Sequence, residues 1–204
     1  MGETKEKIMR EALKLFACAG YEAVSVSDIA GVIGITKGAL YRHYESKRDI
    51  FEHILRRMEA DDASGAEGFG LPTSNLDESN AAEYRSVSLD SLAVFAKAQF
   101  IYWTENDFAA DFRRLLTLEQ YRSPEMGELF GQYLGSGPSS YVEDILGSLG
   151  FSDPEVYAAQ IYAPMFLFYG IFDHTAADRR NEIKNTAFAC IDRTINELKK
   201  ESTI

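Results

Sequence analysis

Between Ser25 and Lys47 the chain reads SVSDIAGVIGITKGALYRHYESK, and Lys37, Tyr41, Arg42, His43 and Tyr44 fall within eight positions of it. An ammonium, a guanidinium, an imidazole and two phenols share one chemistry: each can donate to a phosphate oxygen or a base edge. Gly38 and Ala39 between them let a backbone approach closely. Tyr41 and Tyr44, three apart, would share a face and bond phosphates while packing on sugars or a thymine methyl. The free N–H groups at the start of a helix favour phosphate as well. These residues describe a surface suited to touching DNA.

Such a surface needs elements that hold it. Ser25 followed by Asp28 has the spacing of a capping box, predicting a helix start. Ile29, Val32 and Ile33 then fall at helical spacing and would face inward, with Ala30 small enough for a crossing helix. Gly34 can take positive φ and end that helix in a sharp turn, and Ile35 would plug the core below it. Thr36 suits the N-cap of a second helix from Lys37, with Leu40 inward. Ser46 and Asp49 repeat the capping spacing, and Lys47 stands where a helix end and a cation could grip one phosphate. A plain helical hairpin with a polar face is the competing reading. The combination of turn glycine, small crossing residue and basic-aromatic outer face favours DNA.

The stretch DIAGVIGITKGALYRHYESKRDIF resembles the N-terminal domain of tetracycline-repressor-like (TetR family) transcription regulators, and the preceding KIMREALKLFACAGYEAVSVSDIA fits a first helix ending at Gly20 and Tyr21. The resemblance in motif spans roughly residues 4–58 and is architectural beyond. It implies an all-α fold: a three-helix helix-turn-helix domain over residues 1–48, with 46–60 as a connecting helix, and a larger helical ligand-binding and dimerisation domain over 61–204. It further implies a homodimer on a palindromic double-stranded DNA operator, usually a repressor, released by a small-molecule effector; an apolar or aromatic ligand is expected. Carried over by the motif, the DNA contacts would be Ser27, Thr36, Lys37, Gly38, Ala39, Tyr41, Arg42, His43, Tyr44 and Lys47. No cofactor is implied.

The net charge of −11 runs against a nucleic-acid partner until it is divided along the chain. Residues 1–60 carry ten Lys and Arg against nine Asp and Glu, whereas 61–204 carry 11 against 23. An acidic body repels phosphate and leaves the N-terminal end approachable, with weak non-specific binding that is sensitive to salt. No apolar run is long enough for a membrane span, and the charged N-terminus lacks a signal-like stretch, so a cytoplasmic protein is expected. Cys18 and Cys190 read as buried free thiols. His43, His53 and His174 show no metal-ligand spacing, and no P-loop, dinucleotide fingerprint or nucleophile elbow occurs. No catalytic residue is assigned.

Apolar spacing predicts a first helix over about 5–19 with Ile8, Ala12, Leu15, Phe16 and Ala19 inward, and another from Ser46 to about Ala60 with Ile50, Phe51, Ile54 and Met58 inward. Residues 61–81, with Gly65, Gly68, Gly70 and Pro72, read as a flexible loop. Helices follow over Tyr84–Glu105 and Phe108–Arg122, and from Pro124 to about Leu149 with a break across Gly135–Pro138. Two more run from Pro154 to Asp173, where Pro164 could kink the helix, and from Arg179 to Lys200.

Residues 61–204 hold 20 of the 25 aromatic side chains. One by one they read as core; the resemblance places a pocket among Phe100, Trp103, Leu116, Tyr121, Phe130, Tyr133, Tyr162, Phe166 and Tyr169. The last two helices are apolar on more than one face, and the resemblance pairs them across a two-fold axis through Ile161, Phe168, Phe172, Ile183, Ala187, Ile191, Thr194 and Leu198. Two other readings compete: an enzyme in the C-terminal domain, for which no acid pair with a nucleophile stands out, and a ligand-independent DNA-binding dimer.

Overall fold

Helix follows helix from Glu3 to Glu201 in a computed structural model that describes residues 2–201, the side chains of 62–67 excepted. No strand occurs among the described residues. The helices are α1 (Glu3–Ala19), α2 (Val26–Ile33), α3 (Lys37–Leu40), α4 (Lys47–Glu67), α5 (Ala81–Ser86), α6 (Leu89–Glu105), α7 (Asp107–Glu119), α8 (Pro124–Leu134), α9 (Ser136–Ser148), α10 (Pro154–His174) and α11 (Arg180–Glu201), with a 3₁₀ turn at Ala177–Arg179. They gather into two compact units: residues up to Asp62 with Asp107–Phe130, and Ala63–Asn106 with the chain from Gly131 onward. The first unit therefore takes in α7, which lies well beyond the sequence boundary at residue 61.

In the first unit α1 packs along α7 and against α2. Its buried stripe is Ile8, Met9, Ala12, Leu13 and Phe16; Leu15 is half-buried and Ala19 exposed, contrary to the stripe read from spacing alone. The apolar face is turned toward α7, an element the local pattern of α1 does not anticipate. The guanidinium groups of Arg10 and Arg57 lie 5.7 and 4.5 Å from the Phe108 ring, and Arg57 also pairs with Glu6, so α1, α4 and α7 meet through one cation–aromatic cluster. Ile50, Phe51, Ile54 and Met58 of α4 are buried as their spacing predicts.

In the second unit α10 packs on α9 and α11, and α6 packs on both α10 and α11. Phe100 stacks on Tyr169 at 5.4 Å and meets Phe172 and Phe188 edge-on at 6.2 Å. Three ion pairs, Asp90–Lys199 and Lys97–Asp192 at 2.5 Å and Glu105–Lys184 at 2.8 Å, run α6 antiparallel to α11. Partly exposed pairs add little stability; their descending and ascending numbers record the register. Ser88 accepts the Ser91 N–H at 3.0 Å as an N-cap, and this splits the single helix expected over Tyr84–Glu105 into α5 and α6.

The segment read as a flexible loop is not one. Helix α4 continues through 61–67, and the strand-free strap beyond it is pinned by side chains. Asn80, 6% exposed, donates to Ser74 Oγ at 2.9 Å and to the Asn75 carbonyl at 2.8 Å. Tyr84 and Tyr141 donate their hydroxyls to the carbonyls of Ser74 and Pro72. The polar residues that suggested mobility instead form a turn, in which Asp77 Oδ1 accepts the Ser79 and Asn80 N–H groups and Asn80 Oδ1 accepts the Asp77 N–H.

Glycine is required at the α8–α9 break. A Cβ on Gly137 would fall on the Gln132 carbonyl, a backbone atom that cannot swing away, whereas one on Gly31 in α2 meets nothing. Gly137→Ala should lower stability by about 1–3 kcal/mol in urea unfolding. Gly31→Ala should leave it unchanged or raise it by roughly 0.5–1 kcal/mol through helix propensity alone.

Candidate nucleic-acid interface

The candidate surface begins at the capping box. The Ser25 N–H donates to Asp28 Oδ2 at 2.8 Å, the Asp28 N–H returns a bond to Ser25 Oγ at 3.2 Å, and the Ser25 hydroxyl donates to the same carboxylate at 2.6 Å. The Ser25 hydroxyl, followed by the backbone N–H, holds the Asp28 carboxyl below the usual aspartate range. Helix α2 ends at Gly34 with φ 78° and ψ 30°, left-handed as the turn requires, and the Ile35 N–H closes on the Ala30 carbonyl at 3.0 Å. Thr36 Oγ1 then accepts the Ala39 N–H at 3.1 Å and starts α3.

Regular α-helix lasts only from Lys37 to Leu40, but the winding continues: His43 N–H bonds the Leu40 carbonyl at 2.9 Å and Tyr44 N–H the same carbonyl at 3.2 Å. Leu40 and Tyr44, four apart, share the inward face and are fully buried. Ser27, Thr36, Lys37, Gly38, Tyr41 and Arg42 are exposed, while Ala39 and His43 are half-buried. Lys37 Nζ lies 5.9 Å from the Tyr41 ring, so cation and aromatic stand together on the outer face. Val32, expected inside, is 58% exposed, and Ile33 and Ile35 are half-buried. A short α2 has one narrow buried edge, taken by Ile29 and Ala30.

Two residues of the expected contact set have other work. The Tyr44 ring is core: its hydroxyl donates to the Lys5 carbonyl at 3.0 Å, its ring stands edge-on to His53 at 5.0 Å, and burial pushes its phenol well above the usual tyrosine range. The spacing of three from Tyr41 suggested a shared outer face; the spacing of four from Leu40 prevails. Lys47 Nζ donates to the Tyr21 carbonyl at 2.8 Å and sits 4.3 Å from the Tyr21 ring centroid, clamping the α1–α2 link to the start of α4. Arg48, absent from the sequence-based set, pairs with Glu52 at 3.1 Å and Glu125 at 2.6 Å. No local spacing connects residues 48 and 125.

The pocket residues read from the sequence fall in both units. Phe100, Trp103, Tyr133 and Tyr169 are buried in the second, where Phe100 and Tyr169 form the stacked core. Tyr162 is half-buried and Phe166 is 45% exposed. Leu116 is core of the first unit, Phe130 is half-buried there, and Tyr121 is 92% exposed, which removes it from any pocket lining.

The interface set is corrected more fully. Ile161, Phe172, Ala187, Ile191, Thr194 and Leu198 are buried within the subunit, and Phe168 and Ile183 are half-buried. The most regular apolar stripe of α11 is spent on packing against α6 and α10. The apolar face left outside lies on the opposite side of α10: Val156, Phe166, Leu167 and Ile171, with Ala159, Ala163 and Gly170 between them at spacings of three and four. Beside it an open groove of about 860 Å³ runs between α10 and α11, floored by Ala159, Ala163, Ala189 and Cys190 and rimmed by Glu155, Arg193 and Glu197. Neither thiol is buried as expected; Cys18 is exposed and Cys190 half-buried. Among the described residues no group of His, Cys, Asp or Glu could hold a metal ion, and no helix is long and apolar enough to cross a membrane.

Tyr44→Phe removes the hydroxyl bonded to Lys5 and nothing on the outer face. It should lower stability by about 1 kcal/mol in denaturant unfolding and leave the helical circular dichroism unchanged.

Residues 8–54 match the family described as bacterial regulatory proteins, tetR family. Over 58 residues the chain is 38% identical to the HTH-type transcriptional regulator AcrR of Shigella flexneri, a match spanning 28% of this chain and 27% of that one. The chain thus spans about a quarter of the length of that curated relative. Likeness of fold extends much further. The TetR family transcriptional regulator PfmR of Thermus thermophilus aligns at a TM-score of 0.58 and 24% identity over 93% of this chain and 97% of its own. SmeT of Stenotrophomonas maltophilia, in its triclosan complex, aligns at 0.66 and 16% identity over 96% and 91%. The sequence match thus gives residues 8–54 as a tetR-family N-terminal domain, and the likeness of fold to solved tetR-family regulators extends over nearly the whole chain.

Proposed function

We propose that this protein is a sequence-specific DNA-binding transcriptional regulator, a homodimer that represses from a near-palindromic operator and is released by a small apolar or aromatic effector. The observation that carries the reading is the outer face of α3 and the turn after it, where Thr36, Lys37, Gly38, Tyr41 and Arg42 are exposed on a backbone whose start Thr36 caps. Lys37 and Arg42 supply the charge for phosphate or base edges, Tyr41 adds a hydroxyl and a flat apolar surface, and Gly38 permits close approach. Ser27 and the start of α2 would meet the flanking backbone, and half-buried His43 is at the margin.

The dimer contact in this reading uses the outer side of α10 and α11, around Leu167, Phe166, Ala163 and Val156, in place of the buried stripe inferred from spacing. A two-fold dimer would set its reading helices roughly 34–36 Å apart, in successive major grooves. An effector that prefers the state with another separation would lower DNA affinity by its ratio of affinities for the two states, and DNA would weaken effector binding by the same factor. The effector half of the reading draws on the fold shared with SmeT, which is held with triclosan. The stacked, buried Phe100 and Tyr169 favour a second reading for that half, a dimer that answers to no small molecule.

Selection from a random duplex library with purified protein, at stated salt, tests the DNA reading: an enriched near-palindrome is expected, and none from folded dimer would overturn it. On the selected duplex, Tyr41→Ala and Lys37→Ala should each weaken binding by roughly 1–3 kcal/mol, and Lys37→Ala should also reduce the salt slope by about one unit if it meets a phosphate.

Leu167→Glu tests the dimer surface. Placing a carboxylate in a contact that Leu167 would fill should cost about 2–3 kcal/mol per subunit. Sedimentation at micromolar concentration should then show monomer, with circular dichroism unchanged.

A further inference from the structure

Glu119 ends α7, and at 2% exposure it is among the few charged residues buried in the described chain. Its carboxylate accepts the Tyr21 backbone N–H at 3.2 Å and Arg122 Nη1 at 3.1 Å. A buried carboxylate is costly unless its oxygens are bonded, so its place against the α1–α2 link needs a reason. The link leaves it no freedom. Gly20 caps α1 with φ 87°, and a Cβ there would fall on Glu119 Oε1 and within 2.9 Å of Arg122 Nη1. On the other side of Tyr21, the carbonyl accepts Lys47 Nζ at 2.8 Å, while the ring lies against Phe16 at 5.1 Å and Phe51 at 5.3 Å. Both backbone polar groups of one residue are thus held by charged side chains, one from α7 and one from the first residue of α4. The head begins four residues later, at Ser25.

We propose that Glu119 is a positioning residue for the reading head: it locks the chain reversal at Gly20 and Tyr21, and through Tyr21 and Lys47 it sets how α2 and α3 are presented by α4. Helix α7 follows α6 after the single residue Asn106, so the lock ties the head to a helix far along the chain. The inference rests on the DNA-reading function proposed above.

The test uses the full-length dimer and the duplex enriched by selection. Glu119→Gln keeps the shape and one acceptor but removes the charge that holds Arg122 and strengthens the Tyr21 bond. Its affinity should fall by about tenfold, the scale of one charge-assisted hydrogen bond. The salt slope should stay that of the wild type, because no phosphate contact is lost. Exchange of the Tyr21 amide proton should quicken in the same variant. Gly137→Ala, a destabilised variant of the other unit, serves as control and should bind as the wild type does. Glu119→Gln binding within twofold of wild type would overturn the proposal while leaving the DNA reading intact. So would an equal loss of affinity in Gly137→Ala, which would make the effect one of general stability. A wild-type protein that enriches no duplex would overturn the DNA reading, and this inference with it.

Discussion

Helices of eight and four residues cannot stand by themselves in water: each leaves more unsatisfied end groups than it makes bonds, and nucleation costs more than so short a run returns. Much of the first unit answers that constraint. Ser25 and Asp28 close the start of α2, Gly34 its end, and Thr36 the start of α3. The reversal before α2 is held by Glu119 and Lys47 on the two polar groups of Tyr21. What remains outward on α3 can be Lys37, Tyr41 and Arg42 because none of them is needed to hold the backbone. Tyr44 and Lys47 have similar chemistry and are needed for that, so they are turned inward or clamped.

The second unit shows the same division of labour among apolar residues. Helix α11 spends its stripe on α6 and α10, and three ion pairs record the antiparallel register of α6 against it. Helix α10 is apolar nearly all round, so burying Ile161, Met165 and Phe172 leaves Val156, Phe166, Leu167 and Ile171 outside. An exposed apolar stripe of this kind, beside a groove rimmed by Glu155, Arg193 and Glu197, has the composition of an interaction surface. A strongly acidic second half, together with a nearly neutral first sixty residues, suits a protein whose head alone approaches phosphate.

Several elements were legible because their causes are local. The capping box, the left-handed Gly34, the Thr36 cap and the break at Gly135 depend on neighbours within four residues, and the structure shows each where its spacing implies. The helices of the second half carried similar marks at Pro124 and Pro154. The misread positions have nonlocal causes. The strap after α4 reads as a flexible loop in the sequence because its anchors, Tyr84 and Tyr141, lie downstream. Leu15 and Ala19 read as core by spacing because the choice of buried face on α1 belongs to α7.

By itself the sequence determined that the chain is helical, that a capped helix-turn-helix lies near its start, and that this head carries basic and aromatic side chains on a nearly neutral background. Periodicity, caps and charge act over a few residues, and their energies do not wait for the rest of the chain. Tertiary structure decided which of two equally apolar faces is core, which tyrosine of the pair at 41 and 44 faces outward, and which charges hold the link before α2. Those outcomes depend on partners 26 to 98 residues away, as the Lys47 and Glu119 bonds to Tyr21 show. Only folding brings such groups within hydrogen-bonding reach.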